Sequence, residues 1–518
     1  MNRRVNRALN ARLPINQRGD SHVLFQRLLR TAMIVSTAAS VATASTRGQT
    51  LGESALTCSN DLRLLRARIE QNYAGYRLEV KGAKQQRFEK EYSLLSARAA
   101  RAEGTECYFV LKRLIAWFDD PHLFLFETSR LDTAETTRRA RTVAMMAIDE
   151  SMARAYFASH SRDLDPVEGI WYDGPLRFAV VPDPISAKGS FVAVLLNGDS
   201  TIWRPGAIRA RFVRRAAGRY DVELWERNFA LHHRDAAIYK HVLLRLSPGI
   251  WGKEFSIARA DSGLLDPADA HRPTLIARNG IVIVSIPSHD GPNKGVLDSL
   301  IQLPLRDLRN AEYLIVDLRG NEGGGSGMSE SLMPYIASEH QRPGLLEQSN
   351  AVILSSDDQI AYARRAFGSD TSRFVRSLLQ RMRAHPGSFV PLSDPGDAPE
   401  PPAKDSVIVG PRRVGVLIDG GTVSASEVLV LRALRSERVI VFGEPTAGAL
   451  DYQSTNIVAF SPNERRWFLG YPTITRNIEL PTGGMRGRGI APTVRLDLSR
   501  LRDPLEYIEH ELKKAPIR

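Results

Sequence analysis

The stretch that most constrains the fold of this chain is Val414–Leu434, with the sequence V-G-V-L-I-D-G-G-T-V-S-A-S-E-V-L-V-L-R-A-L. Its apolar run ends at Asp419 and a glycine pair, which is typical of a buried strand followed by a sharp turn. From Val428 onward, apolar residues recur at helical spacing. The stretch therefore predicts a strand, a turn and a helix, with Ser424 at the helix start.

Ser424 allows two interpretations. In the structural one, Ser424 and Glu427 form a capping box, in which the serine accepts from a backbone amide and the glutamate reaches back to the amide of the serine. In the functional one, the hydroxyl lies at a helix N-terminus, where unpaired amides and the positive end of the helix dipole stabilise an oxyanion. Spacing alone leaves both open.

A second glycine-rich turn lies upstream in Tyr313–Gly327 and also follows an apolar strand, so two strand-to-turn units can face one site. Four motifs resemble, in order and roughly in spacing, those of the C-terminal processing (tail-specific) serine peptidases and their tricorn-core relatives. They are D-L-R-G-N-E-G-G-G at 317–325, G-G-T-V-S-A-S-E at 420–427, G-E-P-T-A-G at 443–448 and G-R-G-I-A-P at 487–492. The resemblance covers about residues 274–498.

This resemblance implies an α/β fold whose catalytic domain is built from ββα units, as in ClpP and the crotonases. It implies that Ser424 is the nucleophile of a serine peptidase. The oxyanion donors would be the backbone amides of Gly323 or Gly324 and of Ala425. It further implies protein or peptide substrates and no cofactor.

The group that activates the serine differs from the tail-specific pattern. That branch uses a lysine in the G-K pair after G-E-x-T-x, whereas this chain has Ala449 there and no lysine between Lys404 and Lys513. A histidine replaces the lysine in tricorn-like relatives. His122, in D-D-P-H, matches the histidine that such relatives carry in an upstream cap, so His122 is the predicted base.

Two questions about the base stay open. Arg486 stands roughly where the resemblance implies a carboxylate, so the sequence does not identify the group that orients His122. His289 is a rival base, because I-P-S-H-D directly follows the first apolar strand of the catalytic block. The candidate orienting carboxylates are Asp119, Asp120, Glu444 and Asp451.

The N-terminal residues predict export. Seven arginines precede an uncharged stretch ending in A-T-A, so residues 1–44 are expected to be a signal peptide. The protein is then expected in the periplasm or outside the cell. In such an oxidising compartment Cys58 and Cys107 should pair, closing a loop of about fifty residues, with two buried free thiols as the alternative.

The residue pattern changes along the chain, as expected for a length that exceeds one ordinary core. Helical spacing predicts an N-terminal helical cap at 45–150. Short alternating strands predict an inserted antiparallel β domain at 160–265, where many family members have a PDZ domain. The serine peptidase domain is expected at 271–500 with a helical insertion at 350–404, followed by a C-terminal helix at 501–518.

The formal net charge of +12 does not predict nucleic-acid binding. Residues 1–44 carry seven arginines and one aspartate, which is half of that excess, and acidic residues are interleaved with basic ones in the rest. No apolar run is long enough to span a bilayer. Two cysteines without C-x-x-C predict no structural metal site, and His232 and His233 are interpreted as surface residues of the β domain.

The sequence thus predicts an exported serine endopeptidase that hydrolyses peptide bonds of protein or peptide substrates through an acyl-enzyme on Ser424. The alternative is a catalytically inactive family member that binds peptides or a partner protein. The sequence predicts neither the natural substrate nor the oligomeric state.

Overall fold

The computed structural model describes most of the 518 residues. The described ranges are 57–127, 133–198, 203–226, 228–246, 249–254, 266–302, 305–325, 327–342, 351–367, 373–392, 407, 410–461, 467–475, 484–501 and 503–514. The segment 1–44, predicted as a signal peptide, lies outside them. In the described part of the chain, no helix is both long enough and apolar enough to cross a membrane.

The described chain opens with a helical cap. Its elements are α1 (Cys58–Asn72), α2 (Ala74–Glu79), α3 (Gly82–Ala99), α4 (Gly104–Ala116) and the short strand β1 (Phe124–Glu127). Leu62, Leu65 and Ile69 recur at three-to-four spacing on α1 and are buried against the other helices. A disulfide joins Cys58 of α1 to Cys107 of α4, which confirms the predicted pairing.

An antiparallel β-barrel follows the cap. Two helices, α5 (Thr133–Thr142) and α6 (Glu150–Ser159), precede β2 (Gly169–Asp173), β3 (Leu176–Pro182), β4 (Ser190–Asn197), β5 (Ile208–Ala216), β6 (Arg219–Trp225), β7 (Leu231–Tyr239), β8 (Leu243–Arg245) and β9 (Ile250–Lys253). Pairing of β2 with β9 closes the barrel. Its interior is a packed core of large side chains, in which the rings of Phe178 and Trp251 stack 4.7 Å apart.

The remaining elements form two sheets with their helices. In chain order they are a 3₁₀ turn (Pro267–Asp269), β10 (Thr274–Arg278), β11 (Ile281–Ser285), α7 (Gly291–Gln302), α8 (Leu305–Asn310), β12 (Tyr313–Asp317), α9 (Met333–Ile336), β13 (Val352–Leu354), α10 (Asp357–Phe367), α11 (Arg373–Ala384), β14 (Phe389–Pro391), β15 (Arg413–Ile418), α12 (Ala425–Ala433), β16 (Val439–Gly443), β17 (Tyr452–Ala459), β18 (Trp467–Thr475), β19 (Val494–Arg495) and α13 (Pro504–Lys514).

The larger sheet has the order β10-β11-β12-β15-β16-β19, with β10 antiparallel to β11 and the other pairs parallel. Helices cover both faces: α7 and α12 pack on one side and α13 on the other. Burial on both faces explains why these strands are apolar without alternation. Because the strands are parallel, the carboxyl ends of β11, β12 and β15 lie at one edge, where an α/β sheet places its site.

The second sheet joins the cap to the rest of the molecule. Its order is β1-β18-β13-β14, and β17 also pairs with β18. Strand β1 comes from the cap, and the cap helices share one apolar core with Trp467, Leu469 and Tyr471 of β18. Because of this shared sheet, the turn that follows α4 lies close to the carboxyl ends of the strands of the larger sheet.

Candidate active site

Ser424 lies on the turn between β15 and α12, as the sequence predicted. Its φ is 59° and its ψ −115°, a backbone conformation that a non-glycine residue adopts only when its surroundings enforce it. Glu427 helps to hold it, because its side chain accepts from the backbone amide of Ser424 at 2.8 Å. Ser424 and Glu427 therefore do occupy the positions of a capping box.

Glu427 is itself fully buried and satisfied by the G-E-P-T-A-G motif. It accepts from the hydroxyl of Thr446 at 2.7 Å and from the amides of Gly448 and Ala449 at 2.8 and 2.9 Å. In this chain the G-E-P-T-A-G motif and Ala449 thus fix Glu427, which in turn bonds the turn that carries Ser424 (the serine turn).

The hydroxyl of Ser424 faces His122. Nε2 of His122 lies 2.8 Å from Oγ of Ser424, and Nδ1 lies 2.5 Å from the backbone carbonyl oxygen of Tyr452. A carbonyl oxygen only accepts, so Nδ1 carries the proton and Nε2 is left to accept from the serine hydroxyl. This is the tautomer that a general base needs.

The turn that carries His122 is fixed by Asp120. The carboxylate of Asp120 accepts from the backbone amide of His122 at 2.9 Å and from the hydroxyl of Tyr73 at 2.7 Å. Burial raises the pKa of Asp120 above its ordinary value. Asp120 therefore holds the main chain of the turn, not the imidazole ring.

Within the described ranges, none of the four candidate carboxylates hydrogen-bonds the imidazole. Glu444 accepts from the amide of Leu498 at 3.2 Å, and Asp451 accepts from the amides of Met485 and Arg486 at 2.7 and 2.9 Å. The carbonyl of Tyr452 occupies the position beside Nδ1 instead. A main-chain carbonyl leaves no signature in a sequence, so this partner could not be found there.

Glu79 is a further residue that sequence reasoning missed. It accepts from the phenol of Tyr452 at 2.8 Å and from Nη2 of Arg486 at 2.5 Å. Burial alone would raise the pKa of Glu79, but Arg486 and Lys84 hold it below its ordinary value. Arg486 stands where a carboxylate was expected, and it pairs with the carboxylate of Glu79 from the cap. Both side chains contact Tyr452: Glu79 accepts from its hydroxyl, and Arg486 lies 5.9 Å from the centre of its ring.

The three residues predicted to form an oxyanion hole lie beside Ser424. A methyl group placed on Gly323 would sit 2.8 Å from Cβ of Ser424 and 3.0 Å from the amide nitrogen of Ala425, so the two turns touch. The amide of Gly323 donates to Oδ1 of Asn321 at 2.9 Å. Among described residues, the amides of Gly324 and Ala425 have no hydrogen-bond partner.

His289, the rival base, is buried away from the serine hydroxyl. Its Nε2 lies 2.8 Å from the hydroxyl of Ser329, and its Nδ1 lies 3.1 Å from the hydroxyl of Ser426. Burial lowers the pKa of His289 to about 4. Its backbone pairs with the glycine-rich turn at 318–325, here named the oxyanion turn after the predicted donors Gly323 and Gly324. His289 accepts from the amide of Gly325 at 2.9 Å and donates to the carbonyl of Gly323 at 3.0 Å.

The interpretation of His232 and His233 as surface residues was wrong. Both are buried, on opposite faces of β7: His233 faces the cap, and Nδ1 of His232 lies 3.1 Å from Nη2 of Arg234 within the barrel. His233 stacks on Tyr108 of α4 and bonds Glu127 of β1 at 2.8 Å. No group of three histidine, cysteine, aspartate or glutamate side chains that could hold a metal ion occurs in the described ranges.

A serine at a strained strand-to-helix turn, beside an imidazole and unpaired amides, defines the chain as a serine-type hydrolase. Residues 280–496 match the model of peptidase family S41. This stretch is an S41-type domain, the domain of the C-terminal processing peptidases, and the chain is a serine peptidase with protein or peptide substrates.

Several solved structures resemble the chain over most of its length. Mature CPAF is 14% identical, with 89% of this chain and 99% of that chain covered and a TM-score of 0.43. The photosystem II D1 C-terminal processing protease is 14% identical, with 89% and 98% covered and a TM-score of 0.33. The tricorn protease is 12% identical, with 88% and 36% covered and a TM-score of 0.36. No curated protein sequence matches the chain.

Proposed function

We propose that the chain is an exported serine endopeptidase in which Ser424 is the nucleophile and His122 the general base. The observation that carries the proposal is the 2.8 Å contact between Nε2 of His122 and Oγ of Ser424, with Nδ1 bonded to a carbonyl. A hydroxyl is a weak nucleophile until a base takes its proton, and this contact provides the base.

In the proposed reaction, Oγ of Ser424 attacks the carbonyl carbon of a peptide bond while its proton passes to Nε2 of His122. The developing oxyanion accepts from the amides of Gly324 and Ala425, which have no hydrogen-bond partner among the described residues. The imidazolium then gives the proton to the leaving amine, which leaves an ester on Ser424. Water hydrolyses the ester with His122 again as base.

The choice of Gly324 over Gly323 as donor follows from hydrogen-bond accounting. The amide of Gly323 is engaged by Asn321, whereas a donor in an oxyanion hole must be free when charge develops. One well-placed donor is worth about 3–4 kcal/mol of transition-state stabilisation.

Export rests on two independent observations. The sequence of residues 1–44 has the pattern of a signal peptide. The disulfide between Cys58 and Cys107 is of the kind that forms and persists in oxidising compartments. A periplasmic or extracellular protein satisfies both.

Labelling with a fluorophosphonate probe tests the nucleophile without knowledge of the substrate. Tryptic peptide 414–432 contains both Ser424 and Ser426, so fragment-ion mapping is needed to tell them apart. The expected result is label on Ser424, together with hydrolysis of fluorescent casein, and loss of both in Ser424→Ala. Folded protein that admits the probe and never reacts would favour the alternative of an inactive, peptide-binding family member.

A further inference from the structure

The barrel reaches the two glycine-rich turns of the active site through the segment Tyr239–Arg245, which we name the barrel tip. It comprises the end of β7, a tight turn and β8. Lys240 and His241 in this turn have φ angles of 53° and 58°. Two consecutive non-glycine residues in the left-handed backbone region are strained. Such strain persists only where surrounding contacts enforce it.

Lys240 is buried in the tip although it carries a charge. Its side chain is 1% exposed, and Nζ lies 2.9 Å from Oδ2 of Asp317 and 3.1 Å from Oγ of Ser285. Ser285 and Asp317 are the last residues of β11 and β12. A lysine of the barrel thus lies at the carboxyl ends of two central strands of the catalytic sheet.

Asp317 transmits this contact to the oxyanion turn. Its Oδ1 accepts from the backbone amide of Arg319 at 3.1 Å and from Nε of the same residue at 3.0 Å. Burial alone would raise the pKa of Asp317, but Arg319 and Lys240 hold it well below its usual range. The D-L-R-G-N segment that leads to Gly324 therefore begins at a carboxylate that forms an ion pair with Lys240.

Tyr239 packs where the two turns meet. A methyl group on Gly421 would lie 2.4 Å from the ring of Tyr239, and one on Gly320 would lie 2.9 Å from its Cβ. Beside the ring, Oδ1 of Asp419 accepts from the amides of Gly320 and Gly421, both at 2.9 Å. The tip thus covers the point at which the oxyanion turn is tied to the serine turn.

Arg245 makes the third contact. Its Nη2 donates to the carbonyl of Pro287 at 2.6 Å, and its Nη1 lies 3.6 Å from a carboxylate oxygen of Glu322. Pro287 stands two residues before His289, whose backbone pairs with the oxyanion turn, and Glu322 belongs to that turn. Arg245 of the barrel therefore contacts both segments of this backbone pairing.

We propose that the barrel tip is a positioning element of the active site and that Lys240 fixes the oxyanion turn in its working geometry. The proposal rests on the peptidase function proposed above. Lys240 acts at a distance from the reaction, because Nζ bonds Asp317 and Ser285, while the partner of the Ser424 hydroxyl is His122. The barrel is then a part of the catalytic apparatus as well as a separate core.

Replacement of Lys240 by methionine tests the proposal, since it removes the charge and keeps an unbranched chain. Arg214→Met is the control, because it breaks an ion pair of the barrel outside the tip, between half-exposed Arg214 and buried Asp165. Two quantities are measured under conditions in which each protein is folded. They are the rate of fluorophosphonate labelling of Ser424 and the hydrogen exchange of peptides covering 318–325.

The expected result for Lys240→Met is labelling at least tenfold slower and faster exchange in 318–325, while Arg214→Met labels within twofold of the native rate with unchanged exchange in that segment. Folded Lys240→Met with native labelling and native exchange would overturn the proposal. If the native protein itself never labels, the peptidase function fails, and exchange alone still decides the role of the tip.

A double variant, Lys240→Met with Asp317→Asn, tests the carboxylate that links the tip to the oxyanion turn. In Lys240→Met, Asp317 keeps its ion pair with Arg319, whose Nη2 lies 2.9 Å from Oδ2 of Asp317, so slow labelling there does not arise from an unpaired carboxylate. The double variant removes the carboxylate as well, and we expect its labelling to be no faster than that of Lys240→Met. Recovery of the native labelling rate in the folded double variant would overturn the proposal.

Discussion

A histidine held between a serine hydroxyl and a main-chain carbonyl can serve as a base only in the state where Nδ1 bears the proton, which is the state that the carbonyl of Tyr452 selects. We therefore expect His122→Ala to lower kcat by about 10³-fold or more, since removal of one member of such a unit abolishes most of its effect. The melting temperature should change little. Exposed His385→Ala is the control, and an equal loss there would contradict the assignment.

Burial of His289 among hydroxyl groups has a consequence for stability. Burial lowers its pKa from 6.5 to about 4, so below pH 6.5 the unfolded chain takes up a proton that the folded protein refuses until about pH 4. This contribution to stability is therefore present above pH 6.5 and is lost as pH falls toward 4. The full difference corresponds to about 3 kcal/mol.

The His289→Gln variant lacks this titration. The free energy of unfolding of each protein is measured in urea at pH 5 and pH 7. We expect the difference, native protein minus variant, to be about 2 kcal/mol smaller at pH 5 than at pH 7. An equal difference at the two pH values would mean that His289 titrates alike in the folded and unfolded states. Comparison of the two proteins cancels the titration of other buried groups.

Among single residues of the candidate site, those that belong to a motif could be predicted from the sequence, and those that only packing brings there could not. Ser424 and Gly324 lie in glycine-rich turns with their own pattern, and His122 follows a helix-ending proline. Glu79 and Lys240 are ordinary charged residues in a helix and a β-turn. Only packing of the cap and the barrel against the catalytic sheet brings them to the site.

The helices of the cap are joined by one covalent link. The disulfide ties α1 to α4 across 49 residues, and both cysteines are buried. In the chain-entropy model, a loop of this length contributes about 4 kcal/mol. We expect Cys58→Ser with Cys107→Ser to lower the free energy of unfolding by about that amount. Thiol labelling of the denatured, unreduced native protein should find no free cysteine, and detection of two would contradict the pairing.

Sequence periodicity predicted individual helices and strands better than it predicted the closure of the strands into a barrel. The strand at 414–418 and the helix after Ser424 were predictable, because a strand buried on both faces is apolar throughout and a helix repeats every three to four residues. The alternation in 169–253 indicated antiparallel strands. It carried no information on whether β2 pairs with β9, since closure depends on the tilt and number of strands.

The core of the barrel is complete within a single stretch of chain, whereas the core of the cap is not. The barrel core draws only on residues between Ala140 and Trp251. The core of the cap instead includes Tyr452, Trp467, Leu469 and Tyr471 from the far end of the chain, and β1 of the cap pairs with β18. His122 reaches Ser424 only because cap and catalytic sheets are packed as one body.

This difference predicts how fragments behave. We expect a fragment of residues 133–272 to unfold cooperatively and give a dispersed amide spectrum, because its large aromatic side chains are buried within it. A fragment of residues 266–518 should aggregate, because loss of the cap leaves the aromatic face of β17 and β18 exposed to water. The intact chain is the control for both. A soluble, cooperatively folding 266–518 fragment would show that the catalytic sheet does not need the cap, and that His122 is supplied by a separable domain.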